Sequence, residues 1–308
     1  MKKLLAILLT LAMIFSFAAC GKTEEPAAAA PAEAEAAAPA EAEAPALTYD
    51  DYFAMDIEEL KPYIQTVASG KLTVATSPDF APYEFYSVDA NGNYSLAGFD
   101  PALAGYIADY LGLELDVIPM DFDGPLVELA AKNVDLSMAG YSPDPDRMDK
   151  MDFSDIYYMG GQSFCVSKAN ENLFASLEAT NDSKYKVSAQ VGSIQIDLAE
   201  ENSPNADIIQ LTKVTEIIAE LLNGTIDGAY IETAVAETYA KNYPDLVVKF
   251  DVPYDQAGSA VGVSKDNLPL LAGVNQAVAA ALADGSMNSF VAEANELASG
   301  ETFEGLLQ

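Results

Sequence analysis

Arg147 stands in a stretch whose residue types suit the binding of a small anion. Asp144 precedes Pro145, which predicts a helix start: an aspartate side chain can cap the first turn, and proline needs no N–H there. Arg147 then falls in that turn, near Ser142 in the incoming loop. The free N–H groups of a helix start and a planar guanidinium together suit one carboxylate. The alternative is that Arg147 is a surface cation balancing nearby aspartates, and the spacing alone leaves both interpretations open.

Alternating strand and helix patterns position this stretch. The predicted strands are residues 72–75, 113–119 and 134–139, and the predicted helices are 101–111 and 123–132. Such alternation is typical of an α/β fold with a mostly parallel sheet covered on both faces. The loops 77–80, 121–124 and 140–147 leave these strands at one sheet edge, where ligands of α/β proteins bind.

A second set of strands and helices follows from about residue 163. One predicted strand ends at Gln190, before a loop through Gly192 and Ser193 and a helix that begins near Gln195. A later strand ends in Glu232, which opens another predicted helix. Two modules of about 100 residues each fit the usual size of a domain.

The first 47 residues predict an exported and anchored protein rather than part of the fold. Lys2 and Lys3 precede an apolar run that ends in small residues before Cys20, which indicates an export signal over residues 1–19. The pattern resembles a bacterial lipoprotein signal, so Cys20 is the expected lipidation site. A retained membrane span is the weaker alternative, because the run is short. Residues 20–47 are rich in Ala, Glu and Pro and predict an extended tether.

The composition excludes several classes of function. A net charge of −33 opposes binding to nucleic acid and to anionic lipid, since both are negatively charged. The sequence has no His, which rules out His-dependent catalytic triads and zinc sites, and we expect no metal and no cofactor. Cys165 lies in an apolar run typical of a core residue, which leaves no disulfide framework.

Several short motifs follow one another along the chain. They are Ser77-Pro-Asp-Phe-Ala-Pro-Tyr-Glu-Phe85, Gly98-Phe-Asp100, Asp121-Phe-Asp-Gly124, Val134-Asp135, Arg147 and Asp152-Phe-Ser-Asp-Ile-Tyr-Tyr158. Together they resemble the polar amino-acid substrate-binding proteins of ABC importers, the bacterial extracellular solute-binding proteins of family 3. The resemblance covers about residues 71–290. It implies the type II periplasmic-binding-protein fold, in which two α/β lobes joined by two crossovers hold an amino acid in the cleft between them.

The resemblance also implies which residues bind the ligand. Arg147 would pair with the ligand α-carboxylate, helped by Ser142 and the backbone of Gly140. Glu232 of the second lobe would accept the ligand ammonium. The other expected ligand residues are Phe80 and Phe122, which would enclose the side chain, Ser77 and Asp79 of the first lobe, and Gln190, Gly192, Ser193 and Gln195 of the second.

Each of several site residues also has a purely structural interpretation. Phe80 and Phe122 fit an ordinary core. Asp79 fits a turn residue that stabilises its own loop, which we favour over ligand contact. Glu232 fits a charge placed at a helix start, where the helix dipole favours it. Gln195 fits an exposed residue.

Two positions depart from the family pattern. Asp144 stands where the family usually has Thr, so the cap is kept but a negative charge is added near the carboxylate site. Ser77 stands where several members have an Asp that grips a side-chain nitrogen. This weakens the prediction of a basic ligand, although Asp79 could take that role.

We therefore expect a monomeric, lipid-anchored protein on the extracytoplasmic face of the cell membrane. It would capture a polar amino acid and deliver it to the permease of an ABC transporter, without catalysis. The expected lobes are residues 48–162 with 256–308, and residues 163–255. The alternatives are an enzyme on this fold, such as a cyclohexadienyl (arogenate or prephenate) dehydratase, which would need a catalytic acid in the cleft, and a ligand-sensing module.

Overall fold

Two five-stranded sheets carry the chain in the computed structural model, which describes residues 46–255 and 258–299. The helices are α1 Tyr49–Phe53, α2 Ile57–Leu60, α3 Phe99–Leu111, α4 Asp123–Ala130, α5 Ile194–Asn202, α6 Val214–Asn223, α7 Thr233–Asn242, α8 Leu268–Asp284 and α9 Ser286–Leu297. The strands are β1 Lys71–Thr76, β2 Asp79–Phe80, β3 Glu84–Val88, β4 Tyr94–Ala97, β5 Glu114–Pro119, β6 Leu136–Ser137, β7 Met151–Tyr158, β8 Gln162–Ser167, β9 Lys186–Gln190, β10 Asp207–Leu211, β11 Gly228–Glu232, β12 Leu246–Val252 and β13 Ser259–Ser264. Within these ranges, no helix has both the length and the apolar character needed to cross a bilayer.

The two sheets have the same plan. The first has the order β5-β1-β6-β13-β7, and the second has the order β10-β9-β11-β8-β12. In each sheet, two neighbouring pairs are parallel and two are antiparallel. The expected α/β fold is confirmed, but the sheets are mixed rather than mostly parallel. Four strands take part only in antiparallel pairs, and they are the strands next to the two points where the chain changes sheet: β7, β8, β12 and β13.

The chain passes between the sheets twice. β7 ends at Tyr158 in the first sheet and β8 begins at Gln162 in the second, so residues 159–161 form one crossover. The chain returns between Val252 at the end of β12 and Ser259 at the start of β13. We call the parts built on the two sheets the first lobe and the second lobe. The expected lobe limits stay a prediction, and residues 256–257 and 300–308 lie outside the described residues.

Helix α3 shows how glycines set the element ends near the site. Gly112 ends the helix in the left-handed conformation, as expected, with φ of 73°. The helix begins at Phe99, two residues before the predicted start at Pro101. Its buried face includes Leu103 and Ile107.

The segment before the first sheet, over residues 49–68, forms short helices. α1 and α2 lie against α8, and a 3-10 helix at Lys61–Tyr63 follows α2. Leu60 is fully buried, and Asn275 of α8 donates to the Tyr49 hydroxyl at 2.8 Å. The predicted signal at residues 1–19, Cys20 and the tether up to residue 45 lie outside the described residues.

Two buried carboxyl groups support the loop that follows β6. Asp100 in the first turn of α3 accepts from the Tyr157 hydroxyl at 2.7 Å and from the Gly140 N–H at 3.0 Å. Burial raises the pKa of Asp100 to about 6. Glu84 is fully buried nearby, and neither of its carboxyl oxygens has a hydrogen-bond partner among the described residues. Burial, and then the charge of Asp100, raise the pKa of Glu84 well above its usual value.

Two glycines give a matched test of the backbone around α3. Gly98 has φ of +123°, and a Cβ there would lie 2.8 Å from the Cα of Glu84 and closer still to the Tyr83 carbonyl. Gly105, inside α3, has no such neighbour within 4 Å. We expect Gly98→Ala to lower the free energy of unfolding by about 3 kcal/mol or more, since the backbone must move. Gly105→Ala should raise it by about 0.5–1 kcal/mol. Urea denaturation measures both, and equal effects would contradict the close approach at Gly98.

Glu84→Gln tests the buried acid. The pKa of Glu84 is higher in the folded state than in the unfolded chain, so the folded state binds the Glu84 proton more tightly. The free energy of unfolding of the wild type therefore falls as the pH rises above the pKa that Glu84 has in the unfolded chain. The glutamine amide of the variant stays neutral at every pH. We therefore expect the variant to be more stable than the wild type at pH 8, with the difference shrinking towards pH 5. Thermal unfolding at both pH values measures this, and a difference that does not change with pH would refute the raised pKa of Glu84.

Candidate functional site

A small cavity of about 10 Å³, the room of about one water molecule, lies between the two lobes. Six of the predicted ligand residues line it: Phe80, Phe122, Gly140, Ser142, Arg147 and Gln195. Four more lining residues were not predicted: Ala139, Tyr141, Gln162 and Ile194. The cavity is therefore built by the loops after β1, β5 and β6 of the first lobe and by the starts of β8 and α5 of the second.

Arg147 lies at this cavity because of the local structure that the sequence predicts. Asp144 caps a 3-10 helix at Pro145–Arg147, and its side chain accepts from the Asp146 N–H at 2.8 Å. The Arg147 guanidinium lies 5.6 Å from the centre of the Tyr141 ring, and its Nη2 donates to the Gly192 carbonyl of the second lobe at 3.0 Å. Among the described residues, no carboxylate lies within ion-pair distance of Arg147. The interpretation as a surface cation that balances the neighbouring aspartates is thus not supported.

Gly140 contributes space rather than a donor. Its N–H is directed to Asp100, so the prediction that this backbone group donates to a ligand does not fit the structure. Its φ of +62° suits glycine, and a Cβ there would lie 2.8 Å from the Phe80 ring. The missing side chain lets the loop approach Phe80.

Phe80 and Phe122 are both core residues and cavity-lining residues, so the two interpretations of these residues hold together. They are 5% and 6% exposed and so belong to the core, yet both also line the cavity. Phe80 packs against Tyr83, and Phe122 packs against Tyr141, with 5.3 Å between ring centres in each pair. The two rings are fixed by these contacts and form an apolar wall.

Glu232 ends β11 and caps α7, as the sequence predicts. Its carboxylate accepts from the Val235 N–H at 2.9 Å and from the Gly161 N–H of the crossover at 3.3 Å. The residue is 3% exposed, and burial raises the pKa of Glu232 to about 7. A Cβ on Gly160 would lie 2.6 Å from the Glu232 carboxylate, so the crossover packs tightly against this side chain. The carboxylate does not line the small cavity.

The predicted residues of the second-lobe loop are held mainly by contacts with protein. Ser193 Oγ donates to the Gln190 carbonyl at 2.7 Å. Gln195 Nε2 donates to Gln162 Oε1 at 2.8 Å, so Gln195 is buried rather than exposed. Gln162 carries no sequence signal of its own: it is the first residue of β8, and only the path of the crossover brings it to the cavity.

Ser77 and Asp79 lie outside the cavity lining. Ser77 Oγ donates to Asp79 Oδ1 at 3.0 Å, which is the loop-stabilising role favoured for Asp79. Asp79 Oδ2 also accepts from two donors of the second lobe, Gln190 Nε2 at 3.1 Å and the Val214 N–H at 2.8 Å. Burial raises the pKa of Asp79 to about 6. Neither residue faces the cavity in this arrangement.

The described residues contain no group of three or more Cys, Asp or Glu side chains that could hold a metal ion. The cavity instead offers a guanidinium, hydroxyl and amide groups and three aromatic rings. This set can bind a small molecule with a carboxylate and a side chain that packs on rings.

Comparison with known proteins agrees with this description. Over residues 72–293 the sequence matches the model of the bacterial extracellular solute-binding proteins, family 3. The chain is 35% identical over 202 residues to the arginine-binding extracellular protein ArtP of Bacillus subtilis, which is 64% of this chain and 75% of that protein. The cyclohexadienyl dehydratase of Pseudomonas aeruginosa is 26% identical over 64% of this chain and 73% of its own length.

The solved structures agree as well. The amino acid ABC transporter substrate-binding protein AbpA from Streptococcus pneumoniae, bound to L-arginine, superposes with a TM-score of 0.72 and 30% identity. The match covers 79% of this chain and 100% of that one. These matches confirm the expected type II fold and the resemblance stated from the motifs. The chain belongs to the bacterial extracellular solute-binding proteins of family 3.

Proposed function

We propose that this protein captures a polar amino acid between its two lobes and delivers it to the permease of an ABC transporter. The observation that carries the proposal is that Arg147 and the two phenylalanine rings line one small cavity between the lobes. An arginine without a carboxylate partner, next to a hydroxyl and an apolar wall, fits an α-carboxylate and the side chain attached to it.

The binding mechanism needs no covalent chemistry. The ligand carboxylate takes the free donors of Arg147 and the Ser142 hydroxyl, and its side chain packs between Phe80 and Phe122. The ligand ammonium then turns towards Glu232 of the second lobe. Because these contacts come from both lobes, the ligand stabilises the closed arrangement over the open one, and the population shifts accordingly.

The ligand class rests on the lining and on the relatives. The cavity lining contains no carboxylate, and the two predicted acidic ligand residues, Asp79 and Glu232, are engaged by protein N–H groups. This favours a ligand whose side chain is polar and modest in charge. The arginine-binding relatives make L-arginine the first competitor to test against it.

Anchoring and transport form the second part of the proposal. A lipid on Cys20 would hold the protein at the extracytoplasmic face of the membrane, with residues 20–47 as the tether. Two or more acyl chains anchor a protein stably, which suits a chain whose net charge of −33 is repelled by anionic lipid. The lobes would then work as a monomer above the permease.

An enzyme is the second candidate, favoured by one observation. Glu232 is a buried carboxyl group with a pKa of about 7, the property of a general acid, and a cyclohexadienyl dehydratase is among the relatives. We favour binding over catalysis because the hydrogen bonds of Glu232 to two N–H groups explain its position structurally. Incubation of the protein with prephenate and arogenate tests this candidate. Accumulation of the dehydration product would establish that the protein is an enzyme.

A thermal-shift screen tests the proposed ligand class. The twenty amino acids and L-cystine are added at millimolar concentration, and a tight ligand raises the melting temperature by mass action. We expect a large shift for a small set of polar amino acids. No shift with any of them would overturn the proposal.

Arg147→Ala tests the carboxylate partner. We expect affinity for the best amino acid of the screen to fall by about 3 kcal/mol or more, roughly a hundredfold, because the bound carboxylate loses its charged donor. Isothermal titration calorimetry measures the loss. Lys184→Ala, which removes an exposed ion pair with Asp182 on the second lobe, is the control and should bind normally. Near-native affinity in Arg147→Ala would refute the assignment.

Glu232 predicts how binding depends on pH. The ligand ammonium needs an ionised carboxylate, and the pKa of Glu232 is about 7. Lowering the pH from 8 to 6 protonates most of this group, so we expect affinity to fall roughly tenfold over that range. In Glu232→Gln the affinity should be low at both pH values and nearly independent of pH. An equal pH slope in both proteins would exclude Glu232 as the ammonium partner.

A further inference from the structure

The cap of helix α6 comes from the other lobe. α6 begins at Val214 after Lys213, and a lysine ammonium cannot accept a hydrogen bond from the helix N–H groups. The first N–H groups of a helix have no partner within it, and Ser, Thr, Asp or Asn usually supplies one. Here the Val214 N–H donates to Asp79, a residue of the first lobe, at 2.8 Å.

Other contacts of Asp79 cross the same gap. Its side chain accepts from Gln190 Nε2 at 3.1 Å, and its backbone carbonyl accepts from the Tyr239 hydroxyl at 3.2 Å. Gln190, Val214 and Tyr239 all belong to the second lobe. Asp79 is 7% exposed, so bulk water has little access to these groups in the closed arrangement.

Burial of the ionised Asp79 carboxylate disfavours the closed arrangement, and the hydrogen bonds that Asp79 accepts compensate for this cost. Removing an ionised group from water costs free energy, which is why the pKa of Asp79 is raised. The hydrogen bonds from Val214 and Ser77 and the charge of Lys213 act in the other direction. If the acceptor were absent, the Val214 N–H would be buried without a partner, which costs more than a hydrogen bond usually contributes.

We propose that Asp79 is a latch between the lobes: it caps α6 only when the lobes are closed, and it stabilises the closed arrangement before any ligand binds. When the cleft opens, the Val214 N–H passes from Asp79 to water. The latch is thus separate from the ligand contacts, and it sets how much of the ligand-free protein is already closed.

Amide hydrogen exchange of the ligand-free protein, followed by NMR, tests this latch. In Asp79→Ala we expect the Val214 amide to exchange about tenfold faster than in the wild type, which corresponds to the loss of one buried hydrogen bond. Asp79→Asn keeps one oxygen that can accept from Val214, so the change should be smaller. Small-angle scattering should show a larger radius of gyration for Asp79→Ala.

Lys213→Ala is the matched control at the same place. It removes an exposed ion pair that also crosses the gap, between Lys213 Nζ and Asp121 at 3.5 Å, but keeps the Val214 N–H and Asp79. Exposed pairs contribute little, so exchange at Val214 should change by less than about threefold. The Val74 amide in β1 serves as the reference for global unfolding.

Two results would overturn the latch. One is an unchanged Val214 exchange rate in Asp79→Ala, which would mean that the lobes do not close on this residue in solution. The other is an equal acceleration at Val214 and Val74, which would mean that Asp79 supports folding instead of closure. No ligand is present in this experiment, so its failure leaves the proposed amino-acid binding untouched.

Discussion

The guanidinium of Arg147 reaches from one lobe to the other, and the geometry of the site depends on that reach. Its Nη2 meets the Gly192 carbonyl, while the Tyr141 ring supports the planar group from the side of its own lobe. The sequence holds 15 Lys and Arg against 48 Asp and Glu, so cations are scarce. A cation at the interlobe cavity, with a carbonyl rather than a carboxylate as its acceptor, keeps attraction for an incoming anion.

The loops around this cation are fixed by buried acids that accept from backbone N–H groups. Asp100 holds Gly140, Asp79 holds Val214, and Glu232 holds Gly161 and Val235. Each acid ties together segments that are distant in sequence. A buried backbone donor needs a partner, and a carboxylate is a strong one, so these contacts hold the loops around the cavity in the closed arrangement.

The sequence predicts this frame unevenly. Local signals were sufficient for the cap at Asp144, the end of α3 after residue 111 and the start of α7 after Glu232, because each depends on a few neighbouring residues. Gln162 and the crossing contacts of Asp79 could not be foreseen. They arise where the two lobes meet, and no local pattern reports a contact between residues 111 positions apart. The strands β7, β10 and β12 were missed for a related reason, since their sides are only partly buried and their alternation is weak.

The crossover at residues 159–161 shares its space with a charged group. A side chain at Gly160 would collide with the Glu232 carboxylate and with the Tyr83 hydroxyl, and the next residue donates its N–H to the same carboxylate. The path of the crossover and the position of the Glu232 carboxylate are therefore not independent. A side chain at Gly160 would restrict the crossover between the lobes and would also displace the Glu232 carboxylate. A substitution of Glu232 would in turn remove an acceptor of the crossover, at the Gly161 N–H. Variation towards new solutes would have to alter both together.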